Sequence, residues 1–352
     1  MAVPSQRKYD LKHNKNLEQY AYQVKKAYLS AIKEISNVSY KLNLNENKEF
    51  FFKNHKKVNE KVNAILKQLH SNVYGTTASG VFLEWDLAVE KNNILAQYVF
   101  GDNIDKVPAQ LKLKYLTNNA DARRAFSKRK INGLNLSDRI WDNTKQFKQE
   151  LELSLELGLG KGKSADQLSK SVRRYLNEPE KLYRRVRDKN GVLRLSKAAK
   201  AYKPGQGKYR SSYKNAQRLT RNENNFSYEN SQFEKRQQQD FIVGIEIKVS
   251  PGHNPSDDRG GISCSSLQGK YPKNFDFSSK WHVNCKCTSF NILKTRAELD
   301  SDVDRILAGK EPNTVSKNEI NKKPKVYTGY LKDNSKKFKN WKSKPRTFEV
   351  NK

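Results

Sequence analysis

The stretch Ser137-Asp-Arg-Ile-Trp-Asp-Asn-Thr-Lys-Gln-Phe-Lys-Gln-Glu-Leu-Glu-Leu-Ser-Leu-Glu-Leu-Gly158 carries the clearest structural signal in the chain. Ile140, Thr144, Phe147, Leu151 and Leu155 recur at three- and four-residue steps, drawing one apolar stripe along a helix. Ser137 can cap its start and Gly158 is placed to end it. The linker Leu159-Gly-Lys-Gly-Lys163 leads to a second helix, opened by the capping-box pattern Ser164-Ala-Asp-Gln167 and closed before Pro179. Its face carries Leu168, Val172 and Tyr175. Gly162-Lys163-Ser164 ends like a phosphate loop, but the leading glycine would have to stand at Leu157, and a helix precedes it instead of a strand. The glycines therefore read as a helix–linker–helix junction, and the expected class is mainly α-helical.

The upstream residues follow the same rule. Leu17, Tyr20, Val24, Tyr28, Ala31 and Ile35 share one helical stripe, and Phe51, His55, Val58, Val62, Leu66 and Leu69 share another, with His55 read as a packed histidine. Gly75-Thr-Thr-Ala-Ser-Gly80 is expected to break this second helix before Val81–Ala96, which contains Trp85.

Downstream the character changes. Between Tyr183 and Arg221, thirteen Lys or Arg residues face one acid, Asp188, with Tyr183, Tyr202, Tyr209 and Tyr213 interleaved. Val186–Leu195 reads as a small hairpin around Asn190-Gly191. Arg210 to about Gln239 returns to helix. Val243–Val249 alternates like a half-buried strand, with Cys287–Leu293 as its partner, so a small α+β module with a short antiparallel sheet is expected there. From Lys317 to Lys352 there are twelve Lys or Arg and three acids, which reads as an extended basic tail that orders on a partner. The expected division is a helical region at 1–115, a central helical region at 116–240 with its basic hairpin and linker at 183–210, a Cys/His module at 241–295, and a basic arm at 296–352.

The 352 residues hold 69 Lys+Arg against 37 Asp+Glu, a net charge of +32, and 35% are hydrophobic. An imbalance of that size speaks of polyanionic partners: nucleic acid first, an acidic protein surface second, an anionic membrane third. No stretch approaches the ~20 apolar residues of a membrane span, and the opening residues lack the apolar core of a secretory signal, so a soluble protein made in the cytoplasm is expected, with no membrane partner. Within the basic segment, Arg184, Arg185, Arg187, Lys197, Lys200, Lys203, Lys208 and Arg210 are the candidate phosphate contacts, with tyrosines able to stack on exposed bases. The competing reading is a solvated linker.

All three cysteines fall between 264 and 287. Cys264, His282, Cys285 and Cys287 offer three thiolates and an imidazole, a donor set that suits tetrahedral Zn²⁺ provided a turn brings Cys285 and Cys287 to one side. Two alternatives stand beside it: cysteines packed against Trp281 and Phe290, or a disulfide from Cys264 to one of the others. His253 lies close enough in sequence to suggest a metal-dependent nuclease. Hydrolysis, however, needs an open metal position and a base, and four closed ligands leave none. No enzyme activity is expected.

These residues also carry a resemblance. Ser250-Pro-Gly-His253, Cys264, Leu267-Gln-Gly-Lys-Tyr-Pro272, Phe275 and Trp281-His-Val-Asn-Cys-Lys-Cys287 resemble the signature of the phage head morphogenesis proteins, the Mu F-like minor head (minor capsid) proteins, whose hallmark is a His-Pro-x-Cys-Arg-Cys ending. Arg218-Leu-Thr-Arg-Asn-Glu223 is similar to the family's Arg-x-x-Arg-Thr-Glu helix, and Asn135–Trp141 through Leu176–Pro179 resembles the helical part of members from Bacteroidetes phages. The likeness spans about 120–295. Val283 stands for the usual proline, Lys286 for arginine and Asn222 for threonine; none of these changes removes a candidate ligand.

The resemblance implies a virion structural protein that acts in head assembly at the portal vertex. Its implied partners are the portal protein, the major capsid or scaffold protein, and packaged double-stranded DNA, and its implied place is the head interior. The alternatives are a nucleic-acid-binding zinc protein and, further off, the nuclease.

Overall fold

The stripe from Leu17 to Ile35 lies on α1 (Arg7–Ser39), and that of Ile140 to Leu155 on α5 (Leu136–Leu159). The computed structural model describes residues 4–42, 50–159, 163–178, 185–187, 193–195, 201–205, 207–250, 264–340 and 344–351, with only the backbone at 156–159, 185–187 and 193–195. The remaining helices are α2 (Lys56–Phe100), α3 (Ala109–Leu116), α4 (Ala120–Lys128), α6 (Ala165–Asn177), α7 (Ser212–Gln238), α8 (Arg296–Leu307), α9 (Lys325–Asp333), α10 (Ser335–Asn340) and α11 (Arg346–Val350). The protein is mainly helical with a small antiparallel sheet in its C-terminal half. Among the described residues no helix is long and apolar enough to cross a membrane.

Two compact units divide the chain, and neither is a continuous segment. One comprises Met1–Leu17, Gly80–Ser127 and Asn222–Lys352; the other comprises Glu18–Ser79 and Lys128–Arg221. This differs from the consecutive regions expected, because helices far apart in sequence complete each other's apolar faces.

In the second unit, Val24, Tyr28, Ile32 and Ile35 of α1 meet Val62, Leu66, Leu69 and Val73 of α2, Ile140, Phe147, Leu151 and Leu155 of α5, and Leu168, Val172 and Leu176 of α6. α1, α5 and α6 bury the stripes their sequences display, whereas of the stripe read from Phe51 to Leu69 only Val62, Leu66 and Leu69 are buried on α2: Phe51, which is exposed, and His55, which is half-buried, precede its first turn. The Ser164–Gln167 capping box forms as expected. The cap of α5, however, is Asn135: its side chain accepts from the Asp138 amide at 2.9 Å while its own amide donates to Asp138 Oδ2 at 3.0 Å. Ser137 instead meets His70. The Val186–Leu195 hairpin is present as strands β1 (Arg185–Arg187) and β2 (Leu193–Leu195), paired antiparallel.

Gly75–Gly80 does not break α2. In the second unit Thr77 donates to Val73 O and meets Thr220 Oγ1 at 2.8 Å; in the first, Gly80 faces the side chain of Asn224 so closely that a Cβ would stand 2.4 Å from its amide nitrogen. The glycine is there for close helix approach, and the helix tolerates it.

In the first unit, β3 (Ile242–Lys248) pairs antiparallel with β4 (Gly269–Tyr271) on one side and β5 (Thr288–Leu293) on the other, with a bulge between Ile242 and Gly244. Ile242, Phe241 and Leu293 pack with Leu95, Val99, Phe100 and the α8 residues Leu299, Val303 and Ile306. Ile245 and Ile247 belong to a separate aromatic core around Trp281.

The tail is a correction. The described residues 317–340 and 344–351 are not an extended arm: Tyr327 of α9 and Phe348 of α11 are buried in the Trp281 core, and Ile320 packs against Gly244 with its amide donating to Val243 O at 3.1 Å. Aliphatics are few in this tail, but its aromatics supply enough apolar surface to fold it onto the module.

Candidate metal centre

Trp281 has no exposed surface and is ringed by Phe275, Phe277, Tyr271, Tyr327 and Phe348, all with centroids within 6.0 Å. It anchors the loop that follows. His282–Cys285 makes a tight turn closed by Cys285 N–H to His282 O at 3.1 Å, with Asn284 at a φ of +61°. Asparagine tolerates that left-handed conformation better than most residues. The turn lies ahead of Cys285, and no turn separates it from Cys287: the two cysteines stand two residues apart in the extended stretch that follows, where alternate side chains share one face, so the turn expected between them is not needed. Cys264 enters from the turn ahead of β4, and Cys287 stands one residue before β5.

The sulfur of Cys264 lies 3.0 Å from His282 Nε2 and 3.7 Å from the sulfur of Cys285. The ligand atoms of Cys264, His282 and Cys285 all lie within 4.8 Å of one another, so this cluster can hold a metal ion. Cys287 stands beside this three-residue group, buried in the same core, with its thiol interacting with those of Cys264 and Cys285. All three cysteines are free and buried. The expected Trp281 packing partner is present, since the cysteines share its core, whereas Phe290 lies outside that core under the ammonium groups of Lys91 and Lys248.

The electrostatics favour a thiolate at Cys285. Burial works to raise the Cys285 thiol, but contacts with the sulfurs of Cys264 and Cys287, and the charges of Lys280 and His282, carry it well below its ordinary value. Cys287 is raised by its contacts with those same two sulfurs and by burial. His282 Nδ1 donates to Val283 O at 2.8 Å, which fixes the ring with Nε2 aimed at Cys264. Metal-ligating histidines commonly show this arrangement.

Around the loop stand residues that sequence reasoning missed. Asn284 N donates to Asn222 Oδ1 at 3.0 Å, Asn225 Nδ2 donates to Cys285 O at 3.2 Å, and Lys280 Nζ donates to Cys287 O at 2.7 Å beside Glu229 at 3.3 Å. Asn222, Asn225 and Glu229 recur at helical spacing on α7. A polar stripe of this kind looks solvated in sequence, yet Asn225 and Glu229 are buried.

The candidate DNA contacts are only partly described. Arg184, Lys197 and Lys200 lie outside the described residues, as does His253, and Arg185 and Arg187 are described as the backbone of β1 alone. Lys203 and Lys208 are exposed and Arg210 is half-buried on the stretch leading into α7. The tyrosines beside them are committed within the second unit: Tyr202 donates to Glu150 at 2.8 Å, Tyr209 lies 4.5 Å beneath Arg218, and Tyr213 is buried against Tyr28. Of these, Tyr213 is buried away from any base; Tyr202 and Tyr209 are half-buried, and Tyr183 lies outside the described residues.

The fold and site together define a helical protein with a sheet-borne Cys/His cluster. Comparison of the chain with protein-family models, curated proteins and solved structures gives no match.

Proposed function

We propose that this chain is a minor head protein of a bacteriophage, a virion structural component that acts in head assembly at the portal vertex, with one Zn²⁺ stapling its Cys/His module and cationic side chains meeting packaged DNA. The observation that carries the reading is the convergence of the residues behind the family resemblance. Cys264, His282, Cys285 and Cys287 gather in one cluster, and Asn222 of the Arg218–Glu223 helix holds the loop through Asn284.

Zinc fits the donors. A tetrahedron with Zn–S bonds of about 2.3 Å has a sulfur–sulfur edge of about 3.8 Å, against 3.7 Å between Cys264 and Cys285. The Cys264–His282 separation of 3.0 Å is shorter than the corresponding edge of about 3.6 Å. A small outward turn of the His282 ring would be needed to supply the difference. Soft thiolates with imidazole select zinc over hard cations. Three thiolates and a histidine in a buried site close the shell, which supports a structural ion over a hydrolytic one.

The DNA contact is supported by charge. In the first unit Lys322, Lys325, Lys332, Lys336, Lys337 and Lys339 are exposed on or beside α9 and α10; in the second, Lys203 and Lys208 are exposed, and each set by itself offers phosphates a surface. The portal, capsid and scaffold contacts rest on the resemblance alone.

Quantitative mass spectrometry of empty procapsids and DNA-filled virions from the encoding phage tests the reading. A few to a dozen copies per particle in both is the expected result. Absence from both overturns it in favour of a nucleic-acid-binding zinc protein.

A further inference from the structure

The backbone carbonyls of Cys285, Cys287 and Ser289 are each taken by a buried side-chain donor. Asn225 Nδ2 holds Cys285 O at 3.2 Å, Lys280 Nζ holds Cys287 O at 2.7 Å, and Lys91 Nζ holds Ser289 O at 2.9 Å. Alternate carbonyls of an extended chain point the same way, so the three donors grip one edge of the segment that carries two candidate ligands.

Each donor is itself fixed by an anion. Lys91 pairs with Asp10 at 2.8 Å, and Lys280 lies 3.3 Å from Glu229, which also accepts from Ser289 Oγ and Gln232. The Asn225 arm is the longest. Its amide nitrogen is committed to Cys285 O, so its oxygen faces His13 Nε2 at 2.9 Å and accepts that nitrogen's proton. His13 Nδ1 meets Glu84 Oε2 at 2.5 Å, and Glu84 Oε1 accepts from Asn16 at 2.8 Å. Tyr228 lies flat on the imidazole, centroids 4.0 Å apart and 8° from parallel, which fixes its plane.

We infer that Asn225, oriented through His13 and Glu84, and Lys280, oriented through Glu229, are the positioning residues of the metal centre: they hold the Cys285 and Cys287 backbone so that both thiolates face the ion. The inference rests on the zinc reading above. Buried ion pairs are a weak source of stability, since apolar side chains of similar volume fill such space at least as well. Outer-shell hydrogen bonds to a metal site, in contrast, set ligand orientation and typically carry 10–100-fold in affinity. The Lys91 clamp grips two residues past the last ligand and serves as an internal control.

The test is zinc affinity by chelator competition, together with the visible bands of the Co²⁺-loaded full-length chain. Asn225→Asp keeps an oxygen towards His13 but removes the donor to Cys285. We expect it to lower zinc affinity roughly 10–100-fold and to shift the cobalt bands, even though it adds negative charge beside a cation. Lys91→Met is expected to lower the melting temperature and leave both metal readouts unchanged. If Asn225→Asp does not fold, His13→Leu, which removes the donor to Asn225 Oδ1, is read the same way with a smaller shift. Wild-type affinity and bands in the folded Asn225 or His13 variant overturn the inference alone. A wild-type chain that takes up neither Zn²⁺ nor Co²⁺ overturns it together with the zinc reading.

Discussion

Glu150 of α5 receives both the amide and the hydroxyl of Ser212, the first residue of α7, at 2.9 and 2.5 Å, and Tyr202 and Gln146 donate to the same carboxylate. It therefore caps α7 from another helix, inside the second unit. Burial pushes its pKa from 4.5 up to about 7, against the pull of those hydrogen bonds.

A raised carboxyl pKa means that ionisation costs the native state more than the unfolded one. The contribution is thus fully present below about pH 4.5 and lost as pH rises through about 7. The full swing is about 3 kcal/mol. Urea unfolding at pH 5 and pH 8 should show wild-type stability falling across that interval, with the fall flattened in Glu150→Gln. An identical pH dependence in both proteins would refute the assignment.

Metal removal should act on the module that Trp281 anchors. Protein purified without chelator is expected to hold about one zinc per chain, and Cys264→Ser should hold none. Elemental analysis reads the stoichiometry, and a thermal melt with and without chelator reads the lost stability.

The folded tail makes its own prediction. Tyr327 is fully buried, and its hydroxyl donates to Thr347 O at 3.2 Å and to Asn351 O at 3.3 Å. Tyr327→Ala should cost about 4 kcal/mol, measured by urea denaturation. A cost near zero would restore the picture of a free arm.

Two glycines of α2 should respond in opposite directions. A Cβ at Gly75 meets nothing within 4 Å, whereas one at Gly80 would collide with the buried Asn224 side chain. Gly75→Ala is expected to stabilise by up to about 1 kcal/mol through helix propensity, and Gly80→Ala to destabilise by about 1–3 kcal/mol through overpacking. Thermal melts of the two variants decide it.

Phosphate contact by the stretch leading into α7 has a salt signature. Replacing Lys203, Lys208 and Arg210 by alanine should lower the slope of log affinity against log salt for duplex DNA by about 3. An unchanged slope would move the contact elsewhere on the surface.

Much of the fold is legible in the residues themselves. The stripes at Leu17–Ile35 and Ile140–Leu155, the Ser164–Gln167 box, the hairpin strands and the β3–β5 pairing all follow from local periodicity and capping, which act over a few residues and need no partner to be read. The four metal-ligand candidates were legible for a similar reason: thiols and imidazole are rare side chains with distinctive chemistry, and here they cluster within 24 residues.

What the tertiary structure decided concerns contacts between residues far apart in the chain. Gly80 reads as a breaker until Asn224 is seen against it. Tyr213 reads as a ligand for bases until Tyr28 claims it. The basic tail reads as unfolded because its charge is visible in composition, while the place where Tyr327 and Phe348 bury is not. The polar face of α7 reads as solvated because hydropathy scores a side chain and not its partner. Asn225 and Glu229 become parts of a site only when His13, Glu84 and Lys280 arrive from elsewhere in the chain to satisfy them, since burying a polar group is tolerable only where its hydrogen bonds are made.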